Sequence, residues 1–386
     1  MKNKVLTIAI IDADLLGRQK HRFPNLACEK ISGYWKAQGA SVELKLDYEG
    51  LDQYNKVFIS KVFTDTPVPE GVLVLPNVEC GGTGFFFDKA PDLPCEIEHH
   101  MPDYHLYDDF INSHIEAAVA LAETEENKEA AYKHIRNEFK EFLDYSIGFV
   151  TRGCFRKCGF CVNKKYDRVF EHSPLSEFYD PSRSKICLLD DNFFGHPNWR
   201  NILQTLQGIG RPFKFKQGLD ERLLTDEKCE LLCKSKYDGA ITFAFDKVED
   251  YELIESKLQM IRRHTKKQFT FYVLVGFESQ DEKDIENAFV RIQLLMKYHC
   301  IPYIMRFEAY KNSPYRSLYV NLARWCNQPR IFKKMSFRQF CNLNQAFHRT
   351  STTTCSAMKS MLDFEAKHPE IAKKYFDITF AERGGL

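Results

Sequence analysis

Apolar positions open the chain in short runs and then recur at helical spacing. Val5–Ile11 is an apolar, strand-like run, and Asn25–Gln38 carries Leu26, Ile31 and Trp35 on one helical face before Gly39 stops it. Ser41–Leu46 alternates as a strand, and Lys56–Phe63 and Gly71–Leu75 are two further β-branched or apolar runs. Residues 1–112 therefore read β-α-β-β-β, an open α/β layer with a parallel sheet. From Ser113 to Asp144 the composition shifts to Ala, Glu and Lys. Ile115, Val119, Leu121, Tyr132, Ile135, Phe139 and Phe142 fall near helical spacing there, which predicts a helical connector over 113–146. Its Glu123, Glu125, Glu126 and Glu129 read as a solvated face.

Residues 147–310 repeat strand and helix. The pattern predicts strands at Ile147–Val150, Ile186–Leu189, Phe213–Lys216, Ala240–Phe245, Phe269–Val275 and Tyr303–Phe307. Between them, Trp199–Leu206, Asp226–Lys234 and Asp284–Tyr298 have amphipathic helix character. The remainder, 311–386, reads as a basic helical region. Composition changes this picture little: 44% of 386 residues are hydrophobic, as in ordinary globular chains. No apolar run reaches the eighteen or so residues of a membrane span. Met1-Lys-Asn-Lys-Val leads into a strand without a signal-peptide pattern, so the expectation is a cytoplasmic protein whose 13 cysteines are reduced thiols and a metal site.

The chemistry concentrates in Gly148-Phe-Val-Thr-Arg-Gly-Cys154-Phe-Arg-Lys-Cys158-Gly-Phe-Cys161, three cysteines at C-x3-C-x2-C beyond an apolar run. A structural zinc site wants four protein ligands. An iron–sulfur cluster can be held by three thiolates with its fourth iron open. Here the sequence resembles the radical S-adenosylmethionine (SAM) superfamily, whose loop after the first barrel strand has this spacing with an aromatic before the last cysteine, here Phe160. The resemblance implies a partial (β/α)6 barrel, a [4Fe–4S] cluster on Cys154, Cys158 and Cys161, and SAM. The reduced cluster gives SAM one electron, releasing methionine and the 5′-deoxyadenosyl radical, and the electron comes from a flavodoxin or ferredoxin. It further implies that the backbone beside Phe160 meets adenine and that the Gly276 region supports it.

In parallel barrels chemistry collects at the carboxyl ends of the strands. The polar residues there are Asp190, Asp191 and Asn192, then Gln217 and Arg222, then Asp246, then Gly276-Phe-Glu278, then Glu308. SAM needs acceptors for its ammonium and ribose and a donor for its carboxylate: Asp190, Asp191 and Asn192 suit the ammonium, Asp246 the ribose and Arg222 the carboxylate. An Asp-Asp-Asn cluster can equally cap a helix or make a turn. Cys229 and Cys233, four apart in a predicted helix, read as packing.

The open layer of 1–112 resembles the Rossmann-like cobalamin-binding domain that precedes the barrel in one branch of the superfamily, including Gly81-Gly-Thr-Gly84 and Pro102-Asp-Tyr-His-Leu-Tyr107. That branch places its lower cobalamin ligand in Asp-x-His-x-x-Gly, whereas the first loop here is Asp12-Ala-Asp-Leu-Leu-Gly-Arg, without the histidine. Little or no bound cobalamin is expected. Cys28, Cys80 and Cys95 call to mind the second cluster of methylthiotransferases, but their surroundings differ from that family's motifs, and they read as simple thiols. Between Lys311 and Thr350 stand Lys311, Arg316, Arg324, Arg330, Lys333, Lys334, Arg338 and Arg349 with no Asp or Glu, interleaved with aromatics. This charge suits an anionic substrate such as RNA, a nucleotide or an acidic peptide, and the leading reaction is methylation or sulfur insertion. From a different class, a non-catalytic iron–sulfur or zinc protein would bind an anionic partner through the same stretch.

Overall fold

The computed structural model describes residues 5–348 and 353–380. The chain forms two compact units, one of residues 1–196 and 208–216, the other of 197–207 and 217–386. The border between them falls inside the stretch 147–310.

In the first unit, strands β1 (Thr7–Asp12), β2 (Ser41–Leu44), β3 (Lys56–Ser60) and β4 (Val78–Gly81) form an all-parallel sheet in the order β2-β1-β3-β4. Such a sheet needs cover on both faces. Ile8 and Ile10 pack with Ile31, Tyr107, Ile111, Phe139 and Phe142 on one side, while Ala9, Ile11, Val57 and Ile59 pack with Leu51 on the other. Each such isoleucine, fully buried, contributes about 1.5–3 kcal/mol. The helix Leu26–Ala37 starts where Asn25 accepts the Ala27 and Cys28 N–H groups. It ends at Gln38, beyond which Gly39 adopts φ +80°. The predicted strand Gly71–Leu75 is instead a helical turn, Glu70–Leu73, that begins after Pro69, and the strand lies at Val78–Gly81. Val74 is 81% exposed, so that apolar run is no core strand. The connector folds as helices Asp108–Ala120, Glu125–Glu138 and Lys140–Leu143.

A second sheet of this unit is also parallel, β5 (Tyr145–Gly148) beside β8 (Lys185–Leu188) beside β9 (Phe213–Phe215). Between β5 and β8 a small antiparallel ribbon pairs β6 (Thr151–Arg152) with β7 (Phe170–Glu171).

The other unit holds β10 (Ile241–Ala244), β11 (Phe269–Val275) and β12 (Ile301–Arg306), parallel in that order. The six strands predicted from 147–310 thus form two three-stranded parallel sheets, one in each unit. On β11 the side chains of Phe269, Phe271, Val273 and Val275 are buried and alternate with half-buried Thr270, Tyr272 and Leu274. Helices Asp226–Lys234, Tyr251–His264 and Glu282–Lys297 belong to this unit. Most aromatics of the basic region are core: Trp325, Phe332, Phe337 and Phe340 are buried, with Phe289 among their ring partners, whereas Tyr315 is half-buried and Phe347 exposed. Its charges are partly neutralised, since Arg338 grips Glu365 with both terminal nitrogens and Asp377 with Nε. Lys333 and Lys334 are exposed, and Arg349 lies outside the described residues. Among the described residues no helix is long and apolar enough to cross a membrane.

Candidate functional site

The three cysteines sit in the loop that leaves β5, and the β6–β7 ribbon closes that loop at its base, with Thr151 opposite Glu171 and Arg152 opposite Phe170. Gly153 makes the turn into it at φ +87°, and a Cβ there would lie 2.3 Å from the Arg168 carbonyl oxygen, so only glycine fits without a shift. Cys154, Cys158 and Cys161 are all reduced and half-buried. The Cys161 N–H donates to the Cys158 carbonyl at 3.1 Å, which places Gly159 and Phe160 at the corner of a tight turn.

The residues after β8 hold this loop from within the same unit. Asp190 is 1% exposed and its carboxylate accepts the Thr151 N–H at 2.6 Å, the Thr151 hydroxyl at 2.5 Å and the Val150 N–H at 3.3 Å. Burial pushes its carboxyl up to about 7 despite those donors. Asp191 spans the loop: Oδ2 accepts the Gly153 N–H at 2.8 Å and Oδ1 accepts from the Asn163 amide at 2.6 Å. One residue before the first cysteine and two after the last are therefore tied to a single carboxylate. Burial also raises the Asp191 carboxyl. Asn192 Nδ2 donates to Cys154 Sγ at 3.3 Å. Two backbone donors point at sulfur as well, Arg156 N–H at Cys154 and Asn163 N–H at Cys161, each at 3.3 Å. Lys157 ties the loop across itself, reaching the Lys164 carbonyl at 2.8 Å and the Tyr166 carbonyl at 3.0 Å.

The Asp190-Asp-Asn192 cluster is thus neither a helix cap nor a free turn; its side chains are engaged with the cysteine loop. In the sequence those residues read only as ligand contacts or a cap or turn, and no pattern there marks Thr151 or Asn163. A glycine directly before the first cysteine was the one visible signal.

The other predicted residues belong to the second unit. Gln217 is exposed, and Arg222 Nε donates to Asp220 at 2.7 Å. Burial raises the Asp246 carboxyl to about 6, against the pull of Arg291 and Arg222. Gly276 has φ +73°, its N–H donates to Asp284 at 2.7 Å, and a Cβ there would stand 2.9 Å from Tyr310 Cβ. Glu278 is exposed and pairs with Lys247 at 3.2 Å. Glu308 is exposed in the short helical segment after β12.

Among the described residues no three His, Cys, Asp or Glu side chains stand gathered as a ready metal-ion site. The donor set nevertheless suits a thiophilic cluster, because three half-buried thiols share one braced loop and three N–H groups face two of the sulfurs. Donors to sulfur are what a ligating thiolate accepts. For cobalamin the fit fails at the lower ligand. Asp14 stands where the family's histidine would, is 1% exposed, and accepts the Val62 N–H at 2.6 Å and the Thr66 hydroxyl. Gly82 and Gly84 lie against the Lys61–Phe63 backbone, where a Cβ on either would collide, so the glycines serve close packing of the turn. Cys28 is buried, Cys80 half-buried and Cys95 exposed.

No family model matches the chain, and no curated protein is similar to it. Among solved structures it is similar to a cobalamin-dependent S-adenosylmethionine radical enzyme, OxsB, in its apo, selenomethionine-labelled form. The identity is 14%, the TM-score 0.35, and the match covers 96% of this chain and 56% of that one. The chain spans about half the length of that enzyme, and a likeness this slight identifies neither family nor site.

Proposed function

We propose that the chain is a radical SAM enzyme that holds a [4Fe–4S] cluster through Cys154, Cys158 and Cys161. The product of reductive SAM cleavage would modify a nucleotide, an RNA or a peptide by methylation or sulfur insertion. The observation that supports this reading best is the braced loop: C-x3-C-x2-C at the carboxyl end of a parallel strand, tied at both ends to Asp191 and supplied with N–H donors at sulfur. When bound, the cluster supplies the electron that splits SAM, and a flavodoxin or ferredoxin reloads it.

The chain's own residues do the rest. Asp190 fixes the backbone of Val150 and Thr151 where the loop departs, and Asp191 holds the loop's two ends at one distance. Asn192 and the Arg156 and Asn163 amides stabilise negative charge on sulfur. Anaerobically reconstituted protein with SAM and a reductant tests the reading through formation of 5′-deoxyadenosine. Cys154→Ala, Cys158→Ala and Cys161→Ala should each lose the brown absorbance and the nucleoside product together. S-adenosylhomocysteine alone, or activity surviving these changes, would refute it.

The exposed Lys333 and Lys334 favour a second reading, a non-catalytic iron–sulfur or zinc protein that binds an anionic partner. A colourless protein with bound zinc and no SAM cleavage would select it.

A further inference from the structure

Among the described residues outside the cysteine loop, one pair of thiols stands within hydrogen-bond reach. Cys229 and Cys233 share a face of the helix Asp226–Lys234, with their sulfurs 4.0 Å apart. Cys229 is buried and Cys233 half-buried. The charged groups around Cys233 come from each neighbouring element. Its own helix contributes Asp226, Glu230 and Lys234, the last two paired with each other at 2.5 Å. The helix Tyr251–His264 brings Arg262, Arg263 and His264, of which Arg263 and His264 hold Asp226 at 3.1 and 2.9 Å. Lys267, just beyond, donates to the Cys233 carbonyl at 3.3 Å. Asp226 and Glu230 are thus each paired with a basic side chain, and Arg262 and Lys267 add positive charge on the Cys233 side.

The two thiols lie within hydrogen-bond reach of each other. With Cys233, the more exposed of the two, as the acceptor, the contact with Cys229 and the neighbouring His264, Lys267 and Arg262 lower the Cys233 thiol, while the same contact and burial raise Cys229. The helix C-terminus opposes a thiolate, but by less than a hydrogen bond to a charged group contributes. Two side chains at i,i+4 have Cβ atoms about 5–6 Å apart, beyond the roughly 3.5–4.5 Å of a disulfide, so the pair does not close on itself while the helix is intact.

We propose that Cys233 is a thiolation site that reacts with low-molecular-weight disulfides such as oxidised glutathione, with Cys229 as the positioning donor. The Cys233 sulfur attacks one sulfur of RSSR, a new Cys233–S–S–R bond forms, the old S–S bond breaks, and RS⁻ leaves with the electron pair. Attack through the thiolate releases no further proton, and Cys229 keeps its own. The site is independent of whether a cluster is bound.

The test is alkylation of the full-length protein by iodoacetamide across a pH series, read at each cysteine by mass spectrometry, with exposed Cys95 as internal reference. Cys233 should label several-fold faster than Cys95 near neutrality, with a rate midpoint at lower pH than that of Cys95. Removing the donor in Cys229→Ala should raise the midpoint by about one unit and slow labelling at neutral pH up to about tenfold. Cys229→Ser, which keeps an X–H donor, should restore part of the rate. Incubation with oxidised glutathione should place the adduct at Cys233 before Cys95, and more slowly in Cys229→Ala. Labelling of Cys233 no faster than Cys95, or a midpoint unmoved by Cys229→Ala in a folded variant, would overturn the proposal.

Discussion

The carboxylate of Asp191 is the strongest lever on the cysteine loop. Asp191→Asn keeps the side chain's size but leaves one acceptor oxygen and turns the other into an NH2 group facing a donor. A hydrogen bond to a charged group is worth about 1.5–3 kcal/mol, so losing one of the two costs the ordered loop about 2 kcal/mol, roughly a thirtyfold drop in its population. The core beneath, with Ile147, Cys187 and Leu188 fully buried, is untouched and should keep the fold. The assay is the rate at which anaerobically reconstituted protein gives up iron to a chelator, followed as the brown colour fades. Release should quicken by about ten- to thirtyfold in Asp191→Asn if the loop must open for iron to leave. Asn163→Ala, which removes only the outer contact, should give a smaller rise. Wild-type release rates in both variants, with unchanged thermal unfolding, would show that the brace has no part in holding iron.

Three further outcomes follow from the same structure. Gly153→Ala forces a Cβ against the Arg168 carbonyl at positive φ and should lower iron content more than Gly208→Ala, a position with open space around it; equal iron would contradict the steric reasoning. Glu221, 3% exposed and accepting the Ala244 N–H at 3.1 Å, is held by burial at about 8 against an ordinary 4.5. Because the folded value is the higher one, its contribution is full below about 4.5 and lost as pH rises towards about 8, at up to about 1.4 kcal/mol per unit. Urea titrations should therefore show Glu221→Gln gaining on wild type between about pH 5 and pH 8, and a constant difference would refute the assignment. Reversal of Lys333 and Lys334 to Glu should weaken binding of a single-stranded RNA probe and flatten its salt dependence by about two ions. Salt-insensitive binding would return both lysines to a merely solvated face.

Periodicity located most of the elements because it reports which face of a segment meets the core. Phe269–Val275 and Asp226–Lys234 fall where the spacing predicts. Periodicity misplaced β4, since Gly71–Leu75 is as apolar as a strand but Val74 points to solvent, and the polar-flanked Val78–Gly81 pairs with β3 through Val57 and Val78. The helix Tyr251–His264 went unread although Ile254, Leu258 and Ile261 repeat at helical spacing. For the site, cysteine spacing marked the loop, yet nothing in Asp190-Asp-Asn192 indicates that its side chains turn towards residues some forty positions earlier. That depends on β8 lying beside β5, a long-range pairing that no local pattern encodes.

Arg291 sits deep in the second unit, 2% exposed, and Nη1 donates to three carbonyls, those of Phe245 at 3.0 Å, Asp246 at 2.7 Å and Leu274 at 2.9 Å. A guanidinium used this way works as a rivet: Nη1 fastens the outlet of β10 to the end of β11 while Nε donates to the Asn287 carbonyl at 3.0 Å, a second anchor that a lysine's single nitrogen would lack. Asp284 fastens the next stretch, binding the Gly276 N–H and the Tyr319 hydroxyl, each at 2.7 Å. Strand outlets fixed to this degree would leave any ligand bound near Asp246 or Gly276 no freedom to mould its own contacts. Selectivity at that rim would come from rejecting molecules of the wrong shape, and loosening Arg291 would broaden what is accepted before it weakened what is bound.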